Sequence, residues 1–285
     1  MIQPTRKKRR RSADPGKAFL EEALQTAITA AKRAGDIILK NLGKISSRDI
    51  RAKQAFDFVT KVDTQSERII IEKIKATFPS HSFLAEETMK WTETGDFRWI
   101  IDPLDGTTNY IHRYPAFSVS IALEYKREII LGVVFDPLKN ELFHAVKGGG
   151  AFLNRKRIHV SRTGQLRNSL IATGFPFRKK EMIDLYLRAF KEVFSGVSDI
   201  RRAGSAALDL AYVAAGRFEG FFELGLAPWD IAAGSLLIRE AGGAITDFGG
   251  GKKYLSTGNI VAGNKRVHAE ILKIVRQVFQ DIVRR

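Results

Sequence analysis

Trp99-Ile100-Ile101 is an apolar run that stops abruptly at Asp102-Pro103-Leu104-Asp105-Gly106-Thr107. A run of this length and composition reads as a short buried strand. Proline has no N–H to give to a ladder, so the strand is expected to stop at Asp102. Two carboxylates then lie three residues apart across a tight turn. Gly106 and Thr107 are suited to opening a helix, whose free amide groups make an anion site. Two acids beside an anion hole suit a metal-bound phosphate. The plainer alternative is a turn followed by a helix cap.

The rest of the chain alternates helical and strand patterns. Helices are expected at 18–42, with Leu20, Leu24, Ile28, Ala31 and Ile38 on the buried face, and from Thr64 to about Pro79. The second opens on a capping-box pattern, Thr64 with Glu67, and buries Ile69, Ile70, Ile74 and Phe78. Strands are expected at 82–86, 98–102, 117–124 and 129–135, with Gly148-Gly149-Gly150 as a turn. Beyond residue 166 come helices near 180–194, 206–215, 231–241 and 265–283. Strands are read at 220–223 and near Ala244 and Ile260. The fold class is therefore mixed α+β or α/β, with α and β layers around mixed sheets. A basic tail is read at 1–17 and a folded unit at 18–285. The unit divides softly into halves 18–155 and 156–285, the first holding most of the candidate metal ligands.

Composition removes several classes of function. The 285 residues are 44% hydrophobic, enough for a large core, and contain no cysteine. Disulfide scaffolds, zinc–thiolate sites and a cysteine nucleophile are excluded. Mean hydropathy is −0.15 and no apolar run is long enough to span a bilayer, so a membrane protein is not expected. The 47 Lys and Arg against 31 Asp and Glu leave a net charge of +16. Arg6, Lys7, Lys8, Arg9, Arg10 and Arg11 crowd the first dozen residues. No apolar stretch follows them, so the tail is not read as a secretory signal. It reads as a solvated terminus, or as a salt-dependent contact with nucleic acid or another acidic surface. Nothing contradicts a cytoplasmic location.

Other acids also end apolar segments. Glu86 and Glu87 close the strand at 82–86, and alternation allows only one of them to face a given site. Asp230 follows Pro228-Trp229 ahead of a helical run, Asp63 sits at the start of another, and Glu223 ends Phe221-Phe222. Each has an ordinary reading as a cap, turn or surface charge. Together they argue more. Several carboxylates in one pocket repel and do not all ionise, and divalent cations resolve that repulsion. Oxygen-only ligands suit Mg²⁺. A cation-filled pocket then receives a phosphate dianion without an arginine clamp.

Competing phosphate motifs fail. Ahead of Gly251-Lys252, a P-loop would need Gly where Thr246 stands, and Ser or Thr in place of Lys253. A phospho-aspartate phosphatase would have one residue between its aspartates, and two separate Asp102 from Asp105. His81, His112, His144, His159 and His268 are scattered and read as structural or surface residues.

The chain resembles the inositol monophosphatase family of lithium-sensitive sugar phosphatases. The resemblance rests on Trp99 to Asn109 and on Pro228-Trp229-Asp230-Ile231-Ala232-Ala233-Gly234 with Glu240-Ala241-Gly242-Gly243. Asp57 to Asp63 and Phe83-Leu84-Ala85-Glu86-Glu87 fit in order and spacing. Arg201 to Leu210 and Ala172 to Arg178 resemble the bacterial branch called SuhB. The match runs from about residue 18 to about residue 283.

The resemblance implies a layered αβαβα sugar-phosphatase fold, a homodimer and Mg²⁺-dependent hydrolysis of inositol 1-phosphate by an activated water. It implies that Glu86, Asp102 and the Leu104 carbonyl hold one Mg²⁺, and that Asp102, Asp105 and Asp230 hold a second. Glu86 and Thr107, the latter paired with Asp63, would activate the water. Asp105, Gly106, Thr107 and Asp230 would face the phosphate, with Gly204, Ser205, Ala206 and Glu223 lining the alcohol side. Lys53 matches a family lysine near the metals. Fructose-1,6-bisphosphatases and NADP phosphatases share the metal site and remain open as alternatives. So does a binding role, because the SuhB branch is linked to transcription and ribosomal RNA complexes, which the basic surface would suit.

Overall fold

The computed structural model describes residues 15–54, 57–88 and 95–280. The basic run at 6–11 lies outside them.

Helix α1 (Lys17–Asn41) opens the fold. Its fully buried stripe is Ala23, Ala27, Ala30, Ala31, Ala34 and Ile38, while Leu20, Leu24 and Ile28 are only partly buried beside it. The buried face is thus rotated toward the alanines. Small side chains let the helix approach closely, and Gly35 sits against the Phe135 ring. Strands β1 (Ile50–Gln54) and β2 (Asp57–Thr60) form an antiparallel hairpin, which leads into α2 (Lys61–Thr77). This helix starts earlier than Thr64. Thr60 is its cap and Asp63 the reciprocal partner, accepting from the Thr60 amide at 2.9 Å and hydroxyl at 2.5 Å. Glu67 instead turns inward and accepts from the Glu87 amide at 2.8 Å.

Strands β3 (Ser82–Ala85) and β4 (Phe97–Asp105) pair in parallel, and the short helix α3 (Thr107–Ile111) follows. Strands β5 (Ser118–Tyr125), β6 (Glu128–Asp136), β7 (Glu141–Val146), β8 (Gly150–Leu153) and β9 (Lys156–Ile158) continue as an antiparallel meander, in the order β3-β4-β5-β6-β7-β8-β9. The change of sheet therefore comes after residue 158.

The remainder is β10 (Leu170–Thr173), α4 (Ile183–Phe194), β11 (Asp199–Arg201), α5 (Ala206–Ala214) and β12 (Gly220–Glu223). Helix α6 (Pro228–Glu240), β13 (Ala244–Thr246), α7 (Tyr254–Thr257), β14 (Ile260–Gly263) and α8 (Lys265–Val278) complete it. Helix α6 begins three residues before Ile231, so Asp230 lies within its first turn. A second sheet forms in the order β11-β10-β12-β14-β13.

Three apolar cores separate the layers. Ala27, Ile38, Ile70 and Ile74 pack against Ile101, Ile121 and Val133, placing α1 and α2 on one face of the large sheet. Leu210, Leu236 and Leu237 fill the space between the sheets, meeting Ile100 and Val134 on one side and Phe221 and Ala262 on the other. Tyr186, Val193, Ile271 and Val275 cover the outer face of the small sheet. Helix pair, sheet, helix pair, sheet, helix pair is the expected αβαβα layering. Strands buried on both faces explain the near-continuous apolar runs of β4 and β6.

Candidate active site

The site forms where β3 and β4 end against the first turns of α5 and α6. Strand β4 does not stop at Asp102. Its pairing with β5 resumes at Asp105, opposite Ser118, after a shift of register that accommodates Pro103. The irregular step turns both acids toward one pocket, and Asp102 Oδ1 accepts from the Leu104 amide at 3.0 Å. Asp105 Oδ2 accepts from the Ser205 hydroxyl at 2.5 Å and the Ala207 amide at 2.8 Å, tying the strand end to α5. Asp230 Oδ2 accepts from the Ala227 amide at 2.8 Å, which fixes it on the first turn of α6. Glu86 follows β3, and its amide donates to Ile101 O at 3.1 Å.

Carboxylate oxygens of Asp102, Asp105 and Asp230 all lie within 4.8 Å of one another, and all three residues are buried. Burial and the neighbouring charges of Glu86, Asp105 and Asp230 push Asp102 well above the usual carboxylate range. Burial raises Asp105 to about 6 against its hydrogen bond from Ser205, and Asp230 to about 7 against the nearby Arg178 charge. An all-oxygen cluster whose members resist ionising together fits one or more hard divalent cations.

Gly106 has φ +96°, and a Cβ there would meet Ala116 O at 2.8 Å, so the turn into α3 requires glycine. The Thr107 hydroxyl donates to Asp63 Oδ1 at 2.8 Å and lies 3.1 Å from Leu104 O. Burial lifts Asp63 to about 6 although Thr60 and Thr107 both donate to it. Glu223 is buried opposite Gly174, where a Cβ would fall 2.1 Å from its Oε1. Burial and the Asp230 charge raise Glu223 to about 8.

A pocket of about 340 Å³ is lined by Glu86, Asp102, Leu104, Asp105, Gly106, Thr107, Gly204, Ser205, Ala206, Glu223 and Asp230. Asp63 is not in the wall but stands behind Thr107. Among the described residues no histidine lines the pocket. Glu86 and Glu87 diverge: only Glu86 lines this pocket, yet both accept from Lys53 Nζ, at 3.0 and 2.6 Å.

The sequence left out two arginines that line the pocket, Arg178 and Arg202. Arg178 lies 3.8 Å from Glu86 and 3.6 Å from Asp230. Positive side chains thus do reach the acidic cluster, where Arg178 faces the carboxylates of Glu86 and Asp230. Both arginines come from loops of the second half, inside segments that carry the family resemblance but were given no role for an arginine.

The family model for the inositol monophosphatase family matches residues 20–280. The chain belongs to that family. It is 48% identical to the Escherichia coli K12 protein named Nus factor SuhB over 263 residues, 92% of this chain and 98% of that one. The structure resembles the SuhB crystal structure from Bartonella henselae with a TM-score of 0.87 at 40% identity, covering 90% of this chain and 99% of that one. It resembles inositol monophosphatase from Anabaena with a TM-score of 0.82 at 40% identity, covering 90% and 96%. Membership makes the chain a phosphatase built on a metal-dependent scaffold.

Proposed function

We propose that the chain hydrolyses inositol 1-phosphate to inositol and phosphate with Mg²⁺ as cofactor. The observation that carries this reading is the buried Asp102, Asp105 and Asp230 triad beside the Thr107–Asp63 hydrogen bond. Glu86, Asp102 and the Leu104 carbonyl would hold one Mg²⁺, and Asp102, Asp105 and Asp230 a second. Bound there, Mg²⁺ supplies charge for the phosphate and the leaving oxygen and lowers the pKa of water.

The protein's own groups do the rest. Amides at the start of α3, Gly106 and Thr107, face the phosphate. A water held against Thr107 Oγ1 gives it a proton as the Thr107 proton passes to Asp63 Oδ1. Asp63 is suited to this because burial has already raised its pKa to about 6. Glu86 orients the same water. Glu223 and the Gly204 to Ala206 backbone present acceptors and donors to the hydroxyls of the alcohol.

Phosphate release should depend on Mg²⁺, fall with Li⁺ and favour inositol 1-phosphate over fructose 1,6-bisphosphate and NADP. Asp105→Asn should abolish it, and a near-normal rate in that variant would sink the assignment.

A second reading follows from the name Nus factor carried by bacterial relatives and from the net charge of +16: contact with an RNA-containing transcription complex. Salt-dependent RNA retention by the full chain, compared with a chain starting at Ala18, tests it. Failure of both to bind removes the direct RNA contact.

A further inference from the structure

A second cavity, of about 780 Å³, adjoins the catalytic pocket through Glu86 and Arg178, which line both. The β1–β2 hairpin and the first turn of α2 form one wall. Five cationic side chains line it, Arg48, Arg51, Lys53, Lys61 and Arg178, against three acids. Each acid already has a cation: Asp49 meets Lys61 at 3.0 Å, and Glu86 and Glu87 share Lys53. Arg48 and Arg51 are exposed, and among the described residues neither guanidinium has an ion pair or hydrogen bond. The indole N–H of Trp229, another lining residue, is buried and has no hydrogen-bond partner among the described residues. Thr60, Lys61 and Thr64 add the positive end of a helix of 17 residues.

We propose that this cavity binds a small oligophosphate anion, at a site separate from the one where the phosphomonoester is cleaved. Two guanidiniums without a partner among the described residues, each able to grip phosphate with two parallel hydrogen bonds, suit an anion with at least two phosphate groups. The concave shape suits a small molecule rather than a nucleic acid backbone. Gly204, Ser205, Ala206 and Glu223 line only the catalytic pocket, so the alcohol of the substrate does not compete for this space. Arg178 and Glu86, shared by both cavities, give the bound anion a direct electrostatic path to the catalytic carboxylates.

Calorimetric titration of the full chain in chelator-treated buffer tests the proposal, with pyrophosphate, inorganic phosphate and a single-stranded RNA 12-mer as probes. Without added cation the catalytic carboxylates repel anions, so the titration reads the second cavity. Pyrophosphate should bind more tightly than phosphate. The double variant Arg48→Ala/Arg51→Ala should bind it at least about tenfold more weakly. Arg48→Lys/Arg51→Lys should recover part of that loss. Melting temperature and phosphomonoester hydrolysis should be unchanged in both variants. Undetectable pyrophosphate binding at millimolar concentration, or equal affinity in the alanine variant, would overturn the proposal. So would an RNA affinity that depends on the two arginines when pyrophosphate affinity does not.

Discussion

The Thr107 hydroxyl and Asp63 Oδ1 meet at 2.8 Å although 44 residues separate them. The contact joins the first turn of α2 to the first turn of α3 directly behind the pocket. Asp63 is wholly buried, and its other oxygen is occupied by the amide and hydroxyl of Thr60. Its one remaining task is to hold Thr107, and through it the water.

Thr107→Ala should therefore lower kcat about 100-fold with a much smaller change in KM. Asp63→Asn should cost a similar factor. If the two act as one relay, their losses will not add in the double variant. A double-mutant cycle on kcat decides this, and additive losses would show that the hydrogen bond plays no part in turnover.

How much of this was legible in the sequence differs from element to element. The strand at 220–223 agrees to the residue, because an apolar aromatic run between turns has one reading. The start of α2 did not, because Thr60 with Asp63 and Thr64 with Glu67 both have capping-box spacing. The structure uses the first pair, since Glu67 is needed to accept from the Glu87 amide. The stop expected at Asp102 failed because a change of register lets β4 carry Pro103 without a ladder bond. The clustered acids Asp102, Asp105 and Asp230 were visible because they stand at a strand end and a helix start, whereas the choice of Glu86 over Glu87 came from the family resemblance. Arg178 and Arg202 were not, because only tertiary folding brings their loops over the acids.

The raised carboxyls set the pH dependence of stability. In the protein without cation, burial holds Asp230 at about 7 and Glu223 at about 8. A group with a raised folded pKa binds more protons folded than unfolded, so its contribution is lost as pH rises through that value. His81, His144 and His268 act oppositely, because burial lowers their pKa, but only below about pH 6.5. Between pH 6.5 and about 8.5 the carboxyls dominate, and the melting temperature in chelator should fall. Mg²⁺ should restore most at the alkaline end. A flat profile in chelator would show that the carboxyls are not strained by their mutual burial.

Glu223 offers a test of alcohol selection. It closes the pocket opposite Gly174 and is not one of the clustered Asp102, Asp105 and Asp230. Glu223→Gln keeps the shape and replaces one carboxyl oxygen by an amide nitrogen that only donates. KM for inositol 1-phosphate should rise several-fold, while phenyl phosphate, which has no hydroxyls to present, should be little affected. Equal losses on both substrates would place Glu223 with the metal site rather than the alcohol.

Gly132 links the core to the chemistry. It lies in β6 where α6 crosses, and a Cβ there would sit 2.8 Å from Ala233 O and 3.0 Å from Ala233 Cα. Both atoms are backbone, so the helix must move away as a body. Gly132→Ala should cost roughly 1–3 kcal/mol of stability, the usual penalty for overpacking a tight core. The same helix carries Asp230 on its first turn, one turn before Ala233. Displacing it separates Asp230 from Asp102 and Asp105, which sit on β4 and are held by the Leu104 amide and by Ser205 and Ala207 at the start of α5. The Mg²⁺ concentration for half-maximal activity should therefore rise along with the loss of stability. A variant that melts earlier but keeps the original Mg²⁺ dependence would show that β6 can yield instead, and that α6 is not what sets the position of Asp230.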